Sequence, residues 1–291
     1  MNLWQAIHQA EITFKSHGVD SPRIEAELLL RHVAGLQRAR LYAELQEPLE
    51  NPAKFWELVE RRLSHEPAAY ITNRRAFYGL DFYVDSRVLI PRQETELLVD
   101  EVLKFARENF LPTNTCLVAD IGTGSGAIAI SLASNMPQAE IYATDISANA
   151  LEVADINCQH HGVTDHVHIL QGDMLQPLPM SMDIIVANLP YISNSDMEQL
   201  SPEIERFEPS VALSGGPDGL DKVRILLGQV KCKLRHGGAL LFEIGQGQSG
   251  TAIELCKDYF PGAQIETLVD LAGIERVITV CPDRVSNSDY A

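Results

Sequence analysis

From residue 116 onward the chain alternates short apolar runs with helical stretches, and that alternation admits few folds. Strand candidates lie at 117–121, 141–145, 167–170, 184–187 and 239–244, with helical stretches near 126–135, 148–161 and 219–235. Such a pattern predicts a parallel sheet covered by helices on both faces. The last two candidates, 264–269 and 276–281, are joined through Asp270-Leu271-Ala272-Gly273, too short for a helical crossover. They are expected to run antiparallel.

The first part of the chain has a different period. Leu3, Ile7, Ala10 and Phe14 recur at helical spacing until Gly18. Ser21-Pro22 and Asn51-Pro52 each offer a cap followed by proline at the first helical position. Residues 1–70 therefore read as a helical domain without a chemical motif. Phe77-Tyr78-Gly79-Leu80-Asp81-Phe82 switches to alternation, so 71–90 reads as a β-hairpin linker and 91–291 as the sheet domain.

Two segments carry the chemistry. Asp120-Ile121-Gly122-Thr123-Gly124-Ser125-Gly126 is a glycine-rich turn at the end of the first strand candidate. It satisfies the dinucleotide fingerprint, with Asp145 placed to accept ribose hydroxyl hydrogens. Asp120, two residues before the first glycine, can meet an amino-acid ammonium. Gly126 lets the backbone pass close to a ligand. These two features favour S-adenosylmethionine over a nicotinamide. Asp173 is placed to accept the adenine amino hydrogens and Met174 to pack on the ring, against a plain reading as turn carboxylate and core residue. The second segment, Asn188-Leu189-Pro190-Tyr191, ends the apolar run 184–187. The Asn188 side-chain carbonyl and the next backbone carbonyl can take both hydrogens of a planar NH2 group, while Tyr191 offers a flat surface. Asp120, Asp145, Asp173 and Asn188 all fall at strand carboxyl ends, where open α/β sheets bind ligands.

Composition narrows the partners. A net charge of −17, with no Lys/Arg cluster longer than a pair, opposes a grip on nucleic-acid phosphates. The five scattered cysteines contain no C-x-x-C, and Cys116, Cys232, Cys256 and Cys281 read as small core residues. His160, His161, His166 and His168 have neither zincin nor finger spacing, so no metal is expected. The arginine pairs Arg61-Arg62 and Arg74-Arg75 read as solvated faces or interdomain contacts. No apolar segment approaches the ~20 residues that span a bilayer. Met1-Asn2-Leu3-Trp4-Gln5 lacks signal-peptide features, so a cytoplasmic protein without membrane contact is expected.

Beyond these motifs the chain resembles the bacterial protein-(glutamine-N5) methyltransferases that modify peptide chain release factors. The likeness runs through Phe77-Tyr78-Gly79-Leu80, Ile90-Pro91-Arg92-Gln93-Glu94-Thr95-Glu96, the glycine turn, Gly215-Gly216-Pro217-Asp218-Gly219-Leu220 and Phe242-Glu243-Ile244-Gly245-Gln246. It implies a Rossmann-like class I S-adenosylmethionine-dependent methyltransferase sheet with a terminal antiparallel hairpin and a small N-terminal helical domain that docks substrate. It implies methylation of the glutamine side-chain amide in a Gly-Gly-Gln loop, with S-adenosylhomocysteine as the cofactor product. Cofactor binding falls to Asp120, Gly122, Thr123, Gly124, Ser125, Gly126, Asp145, Asp173, Met174 and Asn188. Substrate binding falls to Asn188, Leu189, Pro190 and Tyr191, and catalysis to Asn188 and Tyr191. Met174 stands where the family usually has an aromatic, and Leu189 where it has the first proline of Asn-Pro-Pro-Tyr. Asn-Leu-Pro-Tyr also occurs in ribosomal-RNA adenine dimethyltransferases. The alternatives are a ribosomal-protein glutamine methyltransferase and a nucleic-acid adenine N6-methyltransferase.

Overall fold

The computed structural model describes residues 1–110 and 115–285. The chain divides into two compact units: Met1–Arg74 with Ser201–Phe207, and Arg75–Leu200 with Glu208–Ala291. The first unit is helical, with α1 (Leu3–Ser16), α2 (Pro22–Ala34), α3 (Arg38–Ala43), α4 (Pro52–Leu63) and α5 (Ala68–Thr72). Ala6, Ile7, Ala10 and Phe14 of α1 pack with Leu29, Leu30, Phe55 and Leu58 in one apolar core. Asn51 caps α4 through its side chain, which accepts from Lys54 N–H. Ser21 does not cap α2. Its backbone is left-handed at φ 48°, its hydroxyl caps nothing, and its carbonyl instead accepts from Ile24 and Glu25 N–H. Arg62 is also not solvated: it is buried and bridges Glu25 and Glu203, each at 2.8 Å.

The second unit opens with the hairpin β1 (Arg75–Phe77) and β2 (Leu80–Phe82). Tyr78 and Gly79 both take positive φ, the conformation a two-residue hairpin turn needs. Arg75 is half-buried and donates Nε to the Pro91 carbonyl at 2.9 Å, so of the second pair Arg74 is exposed and Arg75 is not. After α6 (Glu96–Asn109) the main elements follow as β3 (Leu117–Ile121), α7 (Ala127–Asn135), β4 (Glu140–Asp145), α8 (Ala148–His161), β5 (Val167–Gln171) and β6 (Met182–Ala187). Then come β7 (Ile192–Ser193), α9 (Asn194–Met197), α10 (Pro202–Phe207), which belongs to the helical unit, β8 (Ser214–Gly216) and α11 (Asp221–Val230). The chain closes with β9 (Leu234–Glu243), α12 (Ser249–Tyr259), β10 (Ala263–Val269) and β11 (Glu275–Val285).

Seven strands form the central sheet in the order β10-β11-β9-β6-β3-β4-β5. The pairs from β9 through β5 are parallel, and β11 is antiparallel to both neighbours. This is the class I methyltransferase sheet with its terminal antiparallel hairpin. The central strand β6 is buried along its whole length, as a strand covered on both faces must be. β9 starts earlier than its apolar run suggests. Leu234 pairs Met182 before the Gly237-Gly238 irregularity, and a Cβ at Gly238 would lie 2.5 Å from the Asp183 carbonyl. Gly238 looks like a turn residue in sequence but serves close backbone approach, while Gly237 takes the left-handed φ of +78°. α12 begins among Gly247, Gln248 and Gly250 and gave no sequence signal; its buried side is only Ala252 and Cys256. Among the cysteines, Cys232 is exposed just after α11, while Cys158 is buried in α8.

Candidate active site

The strand order reverses at β3, which pairs β4 on one side and β6 on the other. Register then aligns the strand ends. Ile121 sits opposite Thr144 and Ala187, Ala187 opposite Phe242, and Asp145 opposite Gln171. One residue further, Gly122, Asn188 and Glu243 form a row at the topological switch point, with Asp145 beside it. A crevice at this place is the standard ligand position of open α/β sheets.

A cleft occupies it. Its lining includes Gly122, Gly124, Asp145, Asp173, Met174, Asn188, Leu189 and Pro190. Asp145 accepts Gly124 N–H at 3.0 Å on one carboxylate oxygen and Ser147 N–H at 2.9 Å on the other. These bonds aim the carboxylate and leave lone pairs for a ligand. Asp173 is exposed at the rim, and Met174 is nearly buried in a left-handed conformation, φ 50°, its carbonyl accepting from the Thr144 hydroxyl at 3.0 Å. Ile146, Val211 and Lys222 also line it.

Asp120, Thr123, Ser125, Gly126 and Tyr191 do not line the cleft. Asp120 is buried behind the turn, where one oxygen accepts the Thr123 hydroxyl at 2.6 Å and Ala129 N–H at 3.2 Å. Its other oxygen has no hydrogen-bond partner among the described residues. Burial raises the Asp120 carboxyl to about 7. The Ser125 carbonyl accepts from Asn157 Nδ2–H at 2.8 Å. A Cβ at Gly126 would lie 2.9 Å from Ile130 and 3.4 Å from Ala154, and its φ is +80°. The left-handed backbone and the approach of α7 to α8 both call for glycine there.

The tetrad is clamped from behind. Gln248 Nε2 donates to the Tyr191 carbonyl at 2.9 Å, and its Oε1 accepts Gly245 N–H at 2.7 Å. A Cβ at Gly219 would lie 2.1 Å from the Tyr191 carbonyl, which explains glycine at this position, φ +79°. Asn188 donates Nδ2–H to Thr95 Oγ1 at 2.9 Å, and Thr95 donates its hydroxyl to Glu243 at 2.6 Å. The Tyr191 phenol also faces Glu243. Burial raises both groups, Glu243 to about 7 and Tyr191 above the ordinary phenol range. Thr95 and Gln248 are the site residues that sequence motifs alone did not single out; Glu243, in sequence either a pocket residue or a strand-end acid with a structural partner, has such a partner in Thr95. Thr95 and Glu243 stood inside recognised segments, but nothing local signals a contact across 148 positions.

The four neighbouring histidines do not converge. His161 contacts the Asp81 carbonyl and His168 contacts Glu140. Among the described residues no three His, Cys, Asp or Glu side chains are grouped to hold a metal. No described helix is long and apolar enough to cross a membrane.

Residues 5–72 match the PrmC N-terminal domain, and residues 95–204 match the methyltransferase small domain. A release factor glutamine methyltransferase of Moorella thermoacetica is 43% identical over 279 residues, covering 95% of this chain and 97% of that protein. The chain belongs to the release factor glutamine methyltransferase family. Another member, from Rhodopirellula baltica, is 36% identical across 95% of this chain and 96% of its own. Among solved structures, the hMettl16 catalytic domain in complex with a MAT2A 3′UTR hairpin superposes with a TM-score of 0.56. It is 17% identical, over 72% of this chain and 78% of that one, which is a likeness of methyltransferase fold alone.

Proposed function

We propose that the protein transfers a methyl group from S-adenosylmethionine to the side-chain amide nitrogen of the glutamine in a release factor's Gly-Gly-Gln loop. The observation that carries this reading is the row of Gly122, Asn188 and Glu243 beside Asp145 at the switch point, joined to the family membership. The residues fit the cofactor chemically. Asp145 has lone pairs for the ribose hydroxyls, Met174 and Leu189 supply apolar wall for the adenine, and Asp173 stands at its edge. Asp120 has a buried oxygen without a donor, which an ammonium would supply. When bound, the sulfonium supplies an electrophilic methyl group.

The chain's own residues supply alignment. An amide nitrogen is a poor nucleophile because its lone pair is delocalised into the carbonyl. The Asn188 carbonyl and the Leu189 backbone carbonyl would accept the two amide hydrogens, holding the nitrogen and increasing its electron density. Positioning of this kind contributes up to about 7–11 kcal/mol in the best models. The amide proton becomes acidic once the new C–N bond forms, and no dedicated base is needed. Docking of the remainder of the release factor falls to the helical unit of residues 1–70, in the cytoplasm where such factors work. The net charge of −17 supports a protein rather than a nucleic acid as substrate. Incubation with labelled S-adenosylmethionine and separate release-factor, ribosomal-protein and DNA substrates, followed by mass mapping, tests the reading. Label on the Gly-Gly-Gln glutamine is expected; label on DNA or a ribosomal protein alone refutes it.

A further inference from the structure

Asn188 is symmetric in shape but not in chemistry. One end of its amide accepts hydrogen bonds and the other donates them, and only one orientation can serve a substrate that donates. Something must therefore choose the orientation. The cleft side does not choose, since Asn188 Oδ1 has no protein donor among the described residues. The choice is made on the far side. Ionised Glu243 can only accept, and it takes the Thr95 hydroxyl hydrogen at 2.6 Å. Thr95 Oγ1 is left with lone pairs alone, so it can only accept from Asn188, whose Nδ2 lies 2.9 Å away. Turning the amide over would set carbonyl oxygen against hydroxyl lone pairs.

We propose that Thr95 and Glu243 are positioning residues that lock the Asn188 amide with its carbonyl toward the cleft, making the site select a carboxamide over a carboxylate. The inference rests on the function proposed above and deepens it. A glutamate side chain has no N–H to give and meets an acceptor, whereas a glutamine donates to it. The surroundings of Glu243 suit this role, because it faces Thr95, Tyr191, Arg276 and Glu94, and Thr95 donates to it. Without the Thr95 hydroxyl the amide is free to turn, and its NH2 then faces the cleft and favours a carboxylate.

The test uses the full-length protein at pH 8, above the Glu243 titration, with Thr95→Val and Thr95→Ser as variants. Thr95→Val removes only the hydroxyl and is expected to lower kcat about 10- to 100-fold, the loss of one or two hydrogen-bond equivalents. S-adenosylmethionine affinity should stay near the parental value, Tm should fall because buried Glu243 loses a donor, and Thr95→Ser should recover most of the rate and of the Tm. A release factor carrying glutamate in place of the Gly-Gly-Gln glutamine should inhibit Thr95→Val more strongly than the parent. A lost rate without that gain overturns the lock and leaves Thr95 a packing residue; a parental rate in Thr95→Val overturns it as well. Nitrogen NMR of the Asn188 side-chain amide reads the lock without any substrate. Exchange protection of the one N–H that bonds Thr95 is expected in the parent, and its loss in Thr95→Val. An unprotected amide in the parent refutes the inference. Failure to methylate any release factor, with a protected amide, counts instead against the proposed function.

Discussion

Asp145→Asn isolates the part of the cofactor site on which the most geometry bears. The substitution keeps size and shape but replaces one acceptor oxygen by an NH2 donor. In the parent, one oxygen accepts Gly124 N–H at 3.0 Å and the other Ser147 N–H at 2.9 Å. The variant can satisfy only one of these, so a donor must face a donor either at the glycine turn or at the start of α8. That conflict should cost about 1–3 kcal/mol of stability in the free protein. Affinity falls separately. Two ribose hydroxyls lose a charged acceptor, and at roughly 2–4 kcal/mol for the pair the dissociation constant rises about 30- to 1000-fold. Denaturant titration of the free protein measures the first quantity and calorimetry with S-adenosylmethionine the second. A destabilised variant that binds the cofactor with parental affinity would make Asp145 a brace for the turn and refute its role as ribose acceptor.

Other expectations follow from the same geometry. Asn188→Ala should bind S-adenosylmethionine with modest loss yet lose single-turnover methyl transfer by orders of magnitude, whereas Leu189→Pro, which keeps the carbonyl, should be nearly neutral. Asp120 and Glu243 are both raised by burial to about 7, so their stabilising contribution is full below the unfolded carboxylate pKa and fades as pH rises through 7. Each should cost the free protein about 2 kcal/mol between pH 5.5 and 7.5, and denaturation of Asp120→Asn should show a shallower pH slope than the parent. Trp4 and Ile12 are exposed on α1. Trp4→Ala with Ile12→Ala should raise KM for intact release factor while leaving cofactor affinity unchanged; an unchanged KM speaks against docking on that face. Point substitutions serve better here than removal of residues 1–70, which would strip Ser201–Phe207 of the unit it belongs to.

The sheet was legible because its signals are local. Each strand of the parallel set has its own apolar run, and the short connection through Asp270–Gly273 settles the antiparallel end. Asp145 and Asn188 were legible because they follow such runs directly, and strand ends converge by topology. What stayed hidden depends on distant pairings. Gln248 looks like part of a glycine-rich loop until the Tyr191 carbonyl is seen against its amide. Gly126 carries a motif's meaning in sequence, while its neighbours Ile130 and Ala154 give it a packing one. Ser21 has the composition of a helix cap and a backbone that does not use it. Arg62 reads as surface charge because Glu203, one of its two partners, is 141 positions away.

That last pairing bears on the order in which the protein can be completed during synthesis. The helical unit is encoded first, yet α10 joins it only after most of the sheet's parallel strands have been made. At about 5–20 residues per second, the interval between Arg62 and Glu203 lasts roughly 7–28 s. For that time Arg62 has Glu25 as its only carboxylate partner of the two, and the unit's last segment does not yet exist. The amino-terminal helices are therefore expected to stay incomplete on the ribosome until the tetrad at 188–191 has already emerged.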